Sequence, residues 1–293
     1  MQRRLLILSL LAFTGCLDTS LDVPVDPGDK PAKLGDAYDA GATGSIRGQV
    51  SWNDVVPTPE PKIARLNAFD MSFYKNPANF VMPHYPKVDA TGRGVAGAVV
   101  FLRRVDAAKS RPWDHRPVRV EFRDRQLNVI QGDTPSDVGF VQRGASIDVV
   151  NFDSEYHNLR ARGAALLGVP LLEPARVTRC ALHKSGVVDM TCGAGYYWLH
   201  AHLFVSDHPY YTRTDETGRF ELKDVPAGEY ELVCWMPSWQ VVRIERDPET
   251  GIETRSTWQP PQQQSRTVTV ASHAASDADF RWAAAMFPSS RGP

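Results

Sequence analysis

The chain has 293 residues, 42% of them hydrophobic, so it can bury a sizeable core, and its length suits one or two domains. With 33 Lys and Arg against 34 Asp and Glu, the formal net charge is -1, which leaves no basic field to gather nucleic acid or an anionic bilayer. Nucleic-acid partners are not supported by that composition.

The first residues read Met1-Gln-Arg3-Arg4, then an apolar run from Leu5 to Phe13, then Thr14-Gly15-Cys16. A basic start, a short apolar stretch and small residues before a cleavage point are the layout of an export signal, too short to span a bilayer. The small pair ahead of Cys16 resembles the lipobox of bacterial lipoproteins, with Phe13 in place of the usual Leu. The resemblance implies a signal peptide over residues 1–15 and acylation of Cys16. Because Leu17 rather than Asp follows the cysteine, it also implies an outer-membrane anchor facing the periplasm or the cell surface. From Leu17 to about Thr43 the chain is rich in Asp, Pro, Gly, Ala and Lys and reads as a flexible tether over residues 16–43.

Alternation of apolar and polar residues predicts a strand at Ser45–Val50 and another at Val95–Leu102, separated by six prolines from Pro57 to Pro86 that mark a long irregular excursion. Further strands are predicted at Val118–Phe122, Leu127–Ile130, Asp137–Val141, Ser146–Val150 and Ala201–Val205, with Gly, Asp and Pro turns between them. Only Ala161–Leu167 offers a helical turn, weakened by Gly163 and Gly168. Downstream, Asp215–Gly218 has hairpin-turn chemistry and Pro226-Ala-Gly228 makes a second turn, which predicts a small antiparallel meander. Strands at Arg266–Val270 and Ala278–Trp282 close it, and Asp247–Gln264, rich in Pro, Thr and Gln, reads as an exposed loop. The fold class is all-β.

Two segments carry a possible chemistry: Asn151-Phe-Asp153-Ser-Glu-Tyr-His157-Asn158, and Met190-Thr-Cys192-Gly-Ala-Gly-Tyr196-Tyr-Trp198-Leu199-His200-Ala-His202. Together with Gly186-Val-Val188 they resemble the cupredoxin-like modules of bacterial envelope proteins, of the methylamine-utilisation or plastocyanin-like kind. A blue-copper centre needs an upstream His, then a loop delivering a thiolate, a second His and a weak axial thioether. Carried over position by position, the resemblance implies copper as cofactor, with His157 as the upstream imidazole and Cys192 as the thiolate. Tyr196 stands where the second imidazole is expected and Leu199 where the axial Met is expected. The stretch Thr214–Tyr230 resembles a carboxypeptidase regulatory-like domain, a transthyretin-type sandwich whose usual opening strands recur here at Gly48-Gln-Val50 and Val95–Val100. The resemblances imply a cupredoxin-like Greek-key sandwich over residues 44–205, with 44–104 shared with the second module. A regulatory-like sandwich over 206–283 and a tail over 284–293 follow.

Losing the axial thioether is tolerable, but a phenol titrates near ~10 and ligates well only when ionised, so Tyr196 is a poor substitute. His200 and His202 lie two apart and so point to one face of a strand; with His208 or His84 they can make a metal site. The plain alternative packs this pair against Tyr210, Tyr211 and Trp235. His157 likewise reads either as a ligand or as a capped loop histidine beside Asn158. Once Cys16 is acylated, Cys180, Cys192 and Cys234 remain, and the sequence leaves three states open: Cys180 paired with Cys234, Cys180 paired with Cys192, or free thiols. No Gly-x-Ser-x-Gly, phosphate loop or His-Glu-x-x-His occurs, so the expectation is a non-enzymatic, lipid-anchored envelope protein. Its degenerate copper site would leave a scaffold for an envelope protein partner. The alternative is a copper carrier or copper store with an atypical ligand set.

Overall fold

The structure is a computed structural model that describes residues 38–63, 79–133, 135–249, 251 and 253–287. The segment expected to be a signal peptide, Cys16 and most of the expected tether lie outside the described residues, as does part of the proline-rich excursion. Among the described residues the fold is all-β, with only single-turn 3-10 segments such as Ala107–Lys109. No helix among them is long and apolar enough to cross a membrane.

Four main sheets form two sandwiches. In the first sandwich, one sheet has the order Val138–Gln142, His200–Ser206, Gly186–Cys192, His157–Gly163, Leu167–Leu171; its mate runs Val177–Ala181, Ser146–Asn151, Arg119–Arg123, Gln126–Ile130, Pro135–Ser136. Alternate residues point between these sheets, and Val120, Phe122, Ile147, Val149, Leu159, Met190 and Leu203 make the dry core there. In the second sandwich, Thr43–Trp52 pairs with Arg219–Pro226 on one side and with Ala275–Asp277 and Phe280–Trp282 on the other. The facing sheet runs Tyr211–Arg213, Val99–Arg103, Gly228–Met236, Gln262–Val270. Trp52, Trp239 and Trp282 crowd around Phe287 in its core, with centroid separations to that ring of 6.0, 4.7 and 5.3 Å, the offset and tilted contacts aromatic quadrupoles favour.

The two sandwiches stack through a third apolar cluster. Val138, Phe140 and Phe204, on the outer face of the first sandwich, meet Val99, Phe101, Val233 and Trp235 on the outer face of the second. A sheet covered on both faces reads in sequence as a continuous apolar run, which explains why all of His200–Ser206 is buried.

Several expectations need correcting. Val95–Leu102 is not one strand: Gly97, at φ +79°, breaks it, so that Val95–Ala96 pairs with Lys87–Val88 and Val99–Arg103 enters the sheet. Asp215–Gly218 and Pro226–Gly228 make no meander, because each turn carries the chain from one sheet of the sandwich to the facing one. Ala161–Leu167 is not helical. It is the hairpin between His157–Gly163 and Leu167–Leu171, with Gly163 at φ +92°. The loop expected over 247–264 contains the strand Glu253–Trp258, paired with Val241–Arg246.

Candidate metal centre

His157 and Cys192 belong to strands whose alternation aims both side chains into the core of the first sandwich. Their Nδ1 and Sγ atoms are 3.6 Å apart. The loop before His157 is fixed by Asn151, whose Nδ2 donates to the Glu155 carbonyl at 2.8 Å and whose Oδ1 accepts from the Asp153 N–H at 2.9 Å. Asp153 in turn accepts from the backbone N–H groups of Asp124 and Arg125 and from His157 Nε2 at 2.9 Å. Burial pushes the His157 imidazole down, but the Asp153 and Cys192 hydrogen bonds outweigh it and hold the ring above its ordinary value. Tyr196 lays its ring on His157 with centroids 4.4 Å apart, and Leu199 contributes only hydrocarbon to the core.

This end therefore brings together one imidazole, one thiol and a phenol ring. The blue-copper set asks for two neutral imidazoles and a thiolate, so the residues present do not fit that copper centre. The three cysteines Cys180, Cys192 and Cys234 are free, so neither disulfide pairing is formed.

The opposite face of the same sheet holds a different constellation. His200 and His202, with Phe204, point outward into the seam between the sandwiches, and His84 reaches them from the proline-rich segment, where its backbone sits at φ +71°. One ring nitrogen from each of His84, His200 and His202 falls in a group whose members all lie within 4.8 Å of one another. His84 Nδ1 donates to Asp137 Oδ2 at 2.9 Å, and His200 Nε2 donates to Asp189 Oδ1 at 2.9 Å. Both carboxyls feel burial, which raises them, but the imidazole hydrogen bonds prevail and hold them below the usual range. Each carboxylate thus fixes its ring's tautomer, as outer partners of metal-ligating histidines do. What remains is His84 Nε2 facing His200 Nδ1 at 3.0 Å. Burial holds both His84 and His202 below their ordinary value, in the neutral form that ligates. His202 Nδ1 is buried and has no hydrogen-bond partner among the described residues.

Aromatic rings close the site. Trp258 stacks on His200 at 5.2 Å and 20° and stands edge-on to His84 at 5.8 Å, while Trp235 meets His202 edge-on at 5.0 Å. His208 lies elsewhere, stacked on Tyr210 and Tyr211, and takes no part. A cleft of about 330 Å³ opens beside the centre, lined by His200, His202 and Asp189 together with Ser256 and Trp258.

Sequence reasoning singled out His200, His202 and His84 but missed Asp137, Asp189, Ser256 and Trp258. Asp189 stands directly opposite His202 in the antiparallel register, a pairing visible only once Gly186–Cys192 is read as a strand.

No family model matches the chain. No curated protein matches it either. Among solved structures it is similar to an oxidised amicyanin mutant, at 16% identity over 31% of this chain and 82% of that one, with a TM-score of 0.25. It is similar also to a purple cupredoxin from Nitrosopumilus maritimus, at 20% identity over 24% of this chain and 78% of that one, with a TM-score of 0.22. A second amicyanin mutant, in its Cu(I) form, is 14% identical over 36% of this chain and 98% of that one, with a TM-score of 0.26.

Proposed function

We propose that the protein is an envelope copper-binding protein that holds one Cu(II) ion on the imidazoles of His84, His200 and His202. The observation that carries this reading is the pair of ring nitrogens 3.0 Å apart, each stripped of its proton by a carboxylate on the far side of its ring. Two lone pairs at that distance repel unless a cation lies between them. Two cis nitrogens on one tetragonal Cu(II) ion stand about 2.8–3.0 Å apart for N–metal bonds of about 2.0–2.1 Å, close to the separation of this pair. His202 supplies a third, neutral donor. For an all-imidazole site the order of affinities favours Cu(II) over Zn(II).

Ion binding in this reading has moved from the core face of one sheet to its outer face, and the His157–Cys192 end persists as a packed remnant. Export and acylation at Cys16 put the centre in the cell envelope, where a carrier or store of copper works without catalysing a reaction. Tyr196 and Leu199 favour a second reading, a partner-binding scaffold in which His84 and His200 share only a proton.

Metal analysis of the full chain in detergent, dialysed after addition of Cu(II), separates the two. Copper binding predicts one ion per chain, lost in His202→Ala and in His84→Ala. Uptake well below stoichiometric decides for the scaffold; uptake undiminished in both variants overturns this site and places the ion elsewhere in the chain. The mass of the mature N-terminus tests acylation of Cys16.

A further inference from the structure

The cleft beside the three imidazoles contains polar atoms that the fold does not use. Ser256 is 7% exposed and its Oγ has no hydrogen-bond partner among the described residues; the indole Nε1 of Trp258 is buried and equally without one. Both residues line the cleft, and they stand two apart on the strand Glu253–Trp258, so their side chains leave the same face. A buried donor without an acceptor is costly, and here two occur on one wall. The indole N–H can only donate, and the serine hydroxyl is free to do the same.

His200 and His202 line the same cleft, the latter 2% exposed with a buried, unpartnered Nδ1. Arg160 and Arg162, two apart on the strand His157–Gly163, line the cleft as well, and neither forms an ion pair among the described residues. Two of the three imidazoles, the donor pair and the arginines therefore line one cleft. A water offers as many protons as lone pairs, so it matches two donors and a cation poorly. An anion with several oxygens matches all of them. At about 330 Å³ the cleft has on the order of ten times the volume share of one water, which is ample for a small organic acid.

We infer that the cleft binds a small carboxylate-type oxyanion as an added ligand of the ion held by His84, His200 and His202, with the Ser256 hydroxyl and the Trp258 indole N–H donating to its oxygens. The inference rests on the metal-binding reading above. One oxygen completes the ion's coordination and the other accepts from the wall, while Arg160 and Arg162 supply the field that draws the anion in. No bond is made or broken in the anion, so the site makes copper uptake and anion uptake cooperative.

The test uses the full chain carrying one equivalent of Cu(II), titrated with sodium formate and followed by Cu(II) paramagnetic resonance and by calorimetry. Saturable binding at one site should change the copper spectrum, and metal-free protein should take up formate at least tenfold more weakly. Ser256→Ala and Trp258→Phe should each weaken formate binding roughly tenfold or more, with copper stoichiometry still one. The phenylalanine keeps a ring over His200 and removes only the N–H. A copper spectrum unmoved by saturating formate overturns the inference and leaves the metal-binding reading standing. Formate binding unchanged in both variants overturns it as well, because the anion then sits on the metal without the wall. Failure to retain copper at all removes both.

Discussion

Replacing Asp189 by Asn tests whether the carboxylates shape the metal centre. The wild-type carboxylate accepts the His200 Nε2 proton at 2.9 Å and so leaves Nδ1 bare toward His84. An amide is neutral and can present its NH2 instead of its oxygen, so the tautomer is no longer fixed and the ring loses basicity. Outer partners of this kind are worth about 10–100-fold in metal affinity. The Asp189 side chain is 53% exposed, and solvent screens it, so the lower end applies: roughly tenfold, or about 1.4 kcal/mol. Asp137, at 40% exposure, should behave alike in Asp137→Asn, and the double variant should lose on the order of 100-fold. The assay is competition for Cu(II) against a chelator of known affinity at fixed pH, with His200→Ala as the reference for a lost ligand. If Asp189→Asn binds within twofold of wild type while His200→Ala fails, the carboxylate does not set the tautomer. If Asp189→Asn fails as completely as His200→Ala, the carboxylate is itself a ligand.

Four further outcomes follow from the same structure. Copper-loaded protein should show no intense thiolate-to-copper absorption, and Cys192→Ser should keep its copper; a strong visible band lost in that variant would return the ion to the His157 end. Burial lowers His208 from 6.5 to about 4, so the unfolded chain takes up its proton first. Stability then rises with pH across that window and falls by up to about 3 kcal/mol as pH drops from 6.5 to 4, a loss that denaturant titrations of His208→Gln should show reduced. A Cβ on Gly94 would come within 1.8 Å of the Thr217 carbonyl oxygen, so Gly94→Ala should destabilise by about 1–3 kcal/mol; an unchanged melting temperature refutes that crowding. Phe204 touches Phe101, Phe140, Tyr211 and Trp235 at the seam, and Phe204→Ala should cost about 3–5 kcal/mol and weaken copper binding; stability lost with affinity intact would uncouple the seam from the centre.

The strands with clean period-two alternation were legible: Ser45–Val50, Leu127–Ile130 and Ser146–Val150 each lie within observed strands. His157–Gly163 and Val177–Ala181 were not, because arginines at 160, 162 and 179 give their outer faces no apolar signal and Gly163 points to a turn. The Glu253–Trp258 strand was hidden by its polar composition, although Ser256 is buried. The same-face relation of His200 and His202 follows from spacing alone, whereas the nearness of His157 and Cys192 was implied by the resemblance. What no local pattern discloses is that His84, 116 positions before His200, closes the group, or that Asp137 stands behind it. Those contacts depend on how two sandwiches stack, and stacking is written in the apolar faces of Phe140, Phe204 and Trp235 rather than near the histidines.

The strand Thr43–Trp52 is held on one edge by Arg219–Pro226 and on the other by Ala275–Asp277 and Phe280–Trp282, so the first described strand waits for the last. The Arg47 guanidinium, for instance, meets Asp277 across 230 positions of chain. The sandwich whose strands run from Arg119 to Ser206 needs no such partner and can assemble as soon as its own strands have emerged. Long-range closures are slow. The histidines at 200 and 202 are therefore in place before Trp258 arrives to cover them, and the second sandwich closes only when Thr43–Trp52 meets Ala275–Asp277 and Phe280–Trp282.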